Sequence, residues 1–165
     1  MMKISIVAPM FNEAANLQTT YDKITHELQG KGYTDYELIF VNDGSTDSTW
    51  EDARKMASEH PNLRVVGYPV NQGRGKALRT GIEAAQGEVI VTVDFDLSYD
   101  ATHISRMLET LDQHPNIDAV LVSVYMPGGE ATGVPPFRLF ISKMGNLVYR
   151  NAFSEKIYTS TCVVR

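Results

Sequence analysis

The chain has 165 residues, enough for a single domain whose core needs no disulfide or metal staple. A hydrophobic fraction of 43% with 21% charged residues excludes wholesale disorder, and a net charge of −5 argues against a dedicated duplex-DNA binder. Cys162 is the single cysteine, so an internal disulfide is excluded and a reducing compartment is permitted; no stretch approaches the roughly 18–20 apolar residues that span a bilayer.

Short apolar runs alternate with helical patterns, which predicts βαβ units and a mostly parallel sheet flanked by helices. Ile4–Ala8 reads as the first strand and not as a signal peptide, because the run is short and contains Pro9. Leu17, Tyr21, Ile24 and Leu28 recur at helical spacing, and Gly30 closes that helix. Glu37–Asn42 is the second strand. Asp47 or Ser48 then caps a helix, with Ser48 and Glu51 spaced as a capping box, and Pro61 ends it. Leu63–Gly67 is the third strand and Asn71–Gly75 a glycine loop. The helix after it is expected to bury Leu78, Ile82 and Ala85, with Gly87 as its stop. Val89–Val93, continuously apolar, reads as a central strand. Ile104, Met107, Leu108 and Leu111 mark the next helix, and Ala119–Ser123 a fifth strand. Three glycines and three prolines between Tyr125 and Pro136 make a loop. Beyond it, Phe137, Phe140, Ile141, Met144 and Val148 share one helical face. The ending Val163-Val164-Arg165 is strand-like without a following partner, so the expectation is one domain cut short at its C-terminus.

Charge is unevenly spread. Residues 1–136 hold 10 basic and 19 acidic side chains, whereas residues 137–165 hold Arg138, Lys143, Arg150, Lys156 and Arg165 against Glu155 alone. Either short segments fluctuate, or a basic tail faces an anionic group or a membrane surface.

In open α/β sheets, ligands bind beyond the carboxyl ends of the strands. The candidates are therefore the clusters that follow each strand: Pro9–Glu13, Asn42–Ser45, Asn71–Lys76 and Asp94–Asp96. The last is the strongest. Residues at i and i+2 leaving a strand point the same way, so Asp94 and Asp96 can approach one cation. Mg2+ or Mn2+ suits such hard oxygen ligands and completes its shell with substrate phosphates and water. The alternative is a solvated loop in which each Asp makes a turn.

Other nucleotide motifs fail. A Walker loop ending at Lys76 needs Gly and Ser/Thr where Val70 and Ala77 stand, and the dinucleotide fingerprint needs its glycines directly after the first strand, where Pro9 stands. His26, His60, His103 and His114 lack metal-ligand spacing, so no zinc is expected. Ser45 and Ser48 sit in no G-x-S-x-G elbow.

VAPMFNEAANL, FVNDGSTDST, NQGRGKALRTGIEAAQGEVIVTVDFDL and YMPGG…FRLFISKMGN, in that order, resemble a family-2 glycosyltransferase of GT-A fold. The likeness is to the dolichyl-phosphate mannosyltransferase, or polyprenyl-phosphate glycosyltransferase, group. It implies a sugar-nucleotide donor of GDP-mannose or UDP-glucose type, a divalent cation (Mg2+ or Mn2+), inverting transfer, and a polyprenyl-phosphate or glycan acceptor. Carried over residue by residue, Pro9, Asn12 and Glu13 line the nucleotide pocket and Asp43 contacts base or ribose. Lys76 lies near the donor, Asp94 near ribose or metal, Asp96 binds the metal, and Arg138 and Ser142 hold the acceptor phosphate. The pocket side chains then include Met10, Phe11 and Phe95. The implied location is cytoplasmic, peripheral at the membrane face through the basic C-terminal segment. Where the group often has Gln this chain has Ser98, and where an Arg is expected it has Val124. Those departures frame the other reading, a sugar-nucleotide-binding module without a complete acceptor site.

Overall fold

A computed structural model describes residues 3–97 and 99–122, together with 137, 140, 141, 144 and 145. The expectations at Ser98, Ser123, Val124, residues 125–136, Arg138, Ser142, Val148 and the rest of the basic tail lie outside the described residues. The chain divides into two compact units, Met1–Asp112 and Gln113–Arg165.

In the first unit the elements are β1 (Ile4–Met10), a 3₁₀ turn (Ala14–Asn16), α1 (Leu17–Gly30), β2 (Tyr36–Asp43), α2 (Thr49–Glu59), β3 (Leu63–Tyr68), α3 (Arg74–Ala84), β4 (Val89–Thr92) and α4 (Thr102–Gln113). All strand pairs are parallel and the order is β3-β2-β1-β4. Ile6 of β1 stands opposite Leu38 of β2 on one side and Val91 of β4 on the other. The two faces carry separate clusters, as the two-residue period of a strand dictates. Ile4, Ile6, Ala8, Leu38 and Phe40 pack with α1, α2 and α4 through Leu17, Ile24, Leu28, Met56, Ile104 and Leu108. Val7, Ile39 and Val41 pack with α3 through Ala77. This alternating parallel α/β architecture is the expected mostly parallel sheet flanked by helices. The strand order reverses at β1, so the carboxyl ends of β1 and β4 flank the crevice where such sheets bind ligands.

Four local expectations are corrected. Among the described strands Val89–Val93 does not take the central place expected of it: β4 is an edge there, paired to β1, with Ile90 40% exposed. The most buried strands are β1 and β2. In α3 the fully buried residues are Ala77 and Gly81, Leu78 and the following Ala85 pack partly buried against the same cluster as expected, and Ile82 is exposed. Small residues win there because the helix lies almost on the sheet: a Cβ on Gly81 would stand 2.3 Å from Val7 Cγ1 and 2.9 Å from Val41 Cγ2. The Ser48–Glu51 capping box does not form. Ser48 Oγ donates to Asp52 Oδ2 (2.6 Å), and it is Asp47 Oδ1 that accepts the Thr49 N–H at 3.0 Å. Residues 119–122 form no strand.

At the amino ends of the strands, buried Glu37 accepts bonds from Ser5 Oγ (2.7 Å), Arg64 Nη1 (2.8 Å) and the Gln86 N–H (2.7 Å). Burial would raise its pKa, but these donors outweigh burial and hold the carboxyl below its ordinary value. This charged knot lies at the end of the sheet opposite the strand-end clusters.

In the second unit Phe137, Phe140, Ile141 and Met144 are helical, as their spacing predicts, and exposed. Among the described residues no helix is long and apolar enough to cross a membrane.

Candidate functional site

The loops leaving β1 and β2 are stitched to each other. Asn12 takes a left-handed backbone (φ 56°), a conformation that Asn tolerates better than most side chains. That turn aims its N–H at Ser45 Oγ (3.0 Å) and its Oδ1 at the Thr46 N–H (2.8 Å). The Glu13 N–H donates to Thr49 Oγ1 (2.8 Å), and the Glu13 carboxylate accepts from Asn16 Nδ2 (2.6 Å). Asp47, beside this junction, has its carboxyl held below its usual value, first by the Thr49 hydroxyl and also by backbone N–H groups. Pro9, half-buried, is the penultimate residue of β1. Of the apolar residues expected in the pocket, only Phe11 is exposed (45%). Met10 (1%) and Phe95 (3%) belong to the core, a correction: Met10 ends β1 on the same face as Ile4, Ile6 and Ala8, and the Phe95 ring packs against Phe40.

Asp43, the last residue of β2, is 5% exposed and grips the glycine loop that leads into α3. Its Oδ1 accepts the N–H groups of Gln72 (2.9 Å) and Gly73 (3.1 Å), and its Oδ2 and carbonyl both accept from Asn71 Nδ2 (3.1 and 3.0 Å). Gly44 (φ 66°) makes the approach possible: a Cβ there would sit 2.3 Å from the Asn71 nitrogen. The Tyr68 hydroxyl is buried beside the Asp43 carboxylate. Burial and the neighbouring Asp43 carboxylate push its pKa up to about 12. Asn42, Ser45, Trp50 and Tyr68 line an open cleft of about 410 Å³ outside β2 and β3.

The acidic pair is not extended. The Leu97 N–H donates to the Asp94 carbonyl (3.0 Å), so residues 94–97 make a tight turn, and Leu97 carries the strained φ of 48°. Chain reversal, not strand alternation, therefore sets the Asp94 and Asp96 directions. Between them Phe95 is the anchor: its ring meets Phe40 edge-on (centroids 4.8 Å apart) and its carbonyl accepts the Thr20 hydroxyl (2.8 Å). Asp96 is exposed. Asp94 Oδ1 pairs with Arg74 Nη2 at 2.5 Å, their side chains 21% and 49% exposed. Lys76, also exposed, lies in the same first turn of α3.

The structure thus joins Asn12 and Glu13 to the β2 loop, Asp43 to the glycine loop, and Asp94 to Arg74. The sequence reading had Asn71 and Arg74 only as members of the Asn71–Lys76 cluster, without their partners Asp43 and Asp94, and it missed Thr20. A cation flanked by Gly73 and Gly75 at a strand end was a usable signal for Arg74; Thr20 offered none. The donor chemistry of this turn, two carboxylates of which Asp94 is paired with the Arg74 guanidinium, fits a hard divalent cation. A closed all-protein cage is not what they make: among the described residues no group of three or more His, Cys, Asp or Glu side chains converges.

A model of glycosyl transferase family 2 matches residues 5–163. The chain is 33% identical over 154 residues (93% of its length) to a dolichol-phosphate mannosyltransferase of Pyrococcus furiosus, and spans 42% of that protein. It is 34% identical over 113 residues (68%) to a dodecaprenyl-phosphate galacturonate synthase of Rhizobium johnstonii, spanning 33% of it. Among solved structures, a Pyrobaculum calidifontis mannosyltransferase in complex with GDP-Man and Mn2+ matches 67% of this chain and 32% of its own, with TM-score 0.57 and 27% identity. S. aureus TarS 1-349 in complex with UDP-GlcNAc shares the fold at TM-score 0.52 and 22% identity, over 76% of this chain and 39% of that one.

Proposed function

The chain belongs to glycosyl transferase family 2, and on that premise we propose that residues 1–165 are part of the catalytic domain of an inverting, metal-dependent hexosyltransferase. Its donor is a sugar nucleotide of GDP-mannose or UDP-glucose type and its acceptor a polyprenyl phosphate. The observation that carries the reading is the Asp94–Asp96 turn at the end of β4, beside the β1 loop and the first turn of α3, where the strand order reverses. The names of the two relatives support a polyprenyl-phosphate acceptor, and the mannosyltransferase complex supports a nucleotide–Mn2+ donor site.

In this reading Pro9, Asn12 and Glu13 line the nucleoside pocket, and Asp43 contacts base or ribose while it fixes the glycine loop. Lys76 faces the diphosphate. Asp94 and Asp96 hold Mg2+ or Mn2+, which when bound neutralises charge on the leaving nucleoside diphosphate. Arg138 and Ser142 hold the acceptor phosphate, one oxygen of which attacks the anomeric carbon as the bond to the diphosphate breaks on the opposite face. A phosphate monoester with a second pKa near ~6 is largely ionised at neutral pH, so no strong general base is required. The five basic residues of 137–165 and the exposed Phe137, Phe140, Ile141 and Met144 support peripheral contact with an anionic cytoplasmic membrane face.

Calorimetric titration with GDP and with UDP, each with and without Mn2+, tests the donor site. Metal-dependent binding of one nucleotide is expected, lost in Asp96→Ala. Failure of both nucleotides to bind folded protein would overturn the reading.

A further inference from the structure

The Arg74–Asp94 pair runs against helix electrostatics. Arg74 is the first residue of α3, where the macrodipole disfavours cations and favours anions, and Lys76 follows two residues later. The first turn of α3 has no acidic residue, whereas that of α2 has Glu51 and Asp52. Two cations at a positive helix end are a local cost that a protein keeps where an anion is to be bound. One of them is nevertheless spent on Asp94, at 2.5 Å, across the crossover from β3 to β4. Its backbone is fixed from the other side, because Asp43 Oδ1 holds the N–H groups of Gln72 and Gly73 immediately before it. The guanidinium therefore stands on the carboxylate that the proposed donor site gives to a divalent cation, within reach of a diphosphate at the α3 terminus.

We propose that Arg74 is a stand-in cation: it neutralises Asp94 in the donor-free protein, yields that carboxylate when a divalent cation binds, and then turns to the donor diphosphate. This rests on the metal–diphosphate reading above and adds to it a residue that couples the two ligands. The charge balance is simple. With the guanidinium on Asp94, a cation entering without nucleotide must displace a positive charge; with a diphosphate present, the guanidinium has a second anion to take. Metal affinity is thereby kept low until nucleotide arrives.

The consequence is a pair of opposite effects from one substitution. In Arg74→Gln, Mn2+ added without nucleotide, followed by the electron paramagnetic resonance signal of the free ion, binds about two- to fivefold more tightly than in the unaltered chain, the scale of a half-exposed ion pair. GDP or UDP added at saturating Mn2+ binds several-fold more weakly, read by calorimetry. Arg74→Lys retains the charge and restores both values toward those of the unaltered chain, while Asp94→Asn removes the gain from Arg74→Gln. An Arg74 that merely props the loop moves both affinities in the same direction or neither. Equal or weaker Mn2+ binding by Arg74→Gln, or unchanged nucleotide binding, overturns the stand-in role. If nucleotide and metal bind and Arg74→Gln is silent, that role alone falls. If no variant binds Mn2+ even with nucleotide present, the donor-site reading falls with it.

Discussion

Asp43 is assigned two tasks, nucleoside contact and anchorage of the glycine loop, and its anchorage can be measured without any ligand. Asp43→Ala removes three bonds to the carboxylate: those from the Gln72 N–H, the Gly73 N–H and Asn71 Nδ2. Bonds to a charged acceptor are worth about 1.5–3 kcal/mol each when the partner is left buried and unpaired. Asn71 and Gln72 are exposed, so water replaces much of what is lost and about 2 kcal/mol in total is the reasonable figure. The loss is local, so it should appear as a fall of roughly 30-fold in hydrogen-exchange protection at Gln72 and Gly73, larger than at the β1–β2 ladder. Asp43→Asn should fall between, because its carbonyl oxygen still accepts the two N–H groups while its amide nitrogen faces the Asn71 donor. Exchange measured by NMR on ligand-free protein separates the two tasks. Unchanged protection at both amides in Asp43→Ala would refute the anchorage, and any lost nucleotide affinity would then belong to direct contact.

Two further perturbations test the framework that holds the site. Glu37→Gln keeps the shape of the buried knot but removes the charge facing Arg64, and should cost about 1–3 kcal/mol at neutral pH. Because the folded Glu37 carboxyl is held below its ordinary value, its contribution is complete above the unfolded value near ~4.3 and fades as pH falls through the folded one. Melting curves of Glu37→Gln and the unaltered chain should converge as pH drops from 5 toward 3; a gap that stays constant would contradict the ionic role. Gly81→Ala sets about 1 kcal/mol of helix propensity against overpacking of about 1–3 kcal/mol, with the new Cβ 2.3 Å from Val7 Cγ1. The melting temperature should fall by several degrees and recover when Val7→Ala is added. A rise in the single variant would show that the contact is not limiting.

The strands and helices of the first unit were legible because the signals are local. β1 and β2 read as apolar runs since both of their faces are covered, and Gly30 and Pro61 mark helix ends by backbone chemistry alone. Position within the sheet was not legible in the same way. Val89–Val93 is as apolar as a central strand, yet its place depends on how β3 crosses back over the sheet. The buried face of α3 was misread for a related reason. Helical spacing selects Leu78, Ile82 and Ala85, of which Ile82 is exposed, whereas the distance between helix and sheet, set by Gly81 against Val7 and Val41, puts the small Ala77 and Gly81 deepest.

The site shows the same division between what a residue is and what it meets. Polar residues at strand ends are visible in the sequence, and Asn12, Glu13, Asp43, Asp94 and Asp96 stand at or just beyond the carboxyl ends of β1, β2 and β4. Their partners are distant in sequence: Ser45 is 33 residues from Asn12, and Gln72 is 29 residues from Asp43. The folded crossover brings Arg74 onto Asp94, and the Thr20 hydroxyl and the Phe40 ring anchor Phe95 inside the acidic turn. These links run in one direction around the carboxyl ends, from the β1 loop to the β2 loop, then through Asp43 to the glycine loop and through Arg74 to the acidic turn. Loosening Asp43 should therefore reach Asp94 through two residues of backbone and one guanidinium. That makes the Mn2+ response of Asp43→Ala informative: a shift toward that of Arg74→Gln would show that the glycine loop sets the position of the cation.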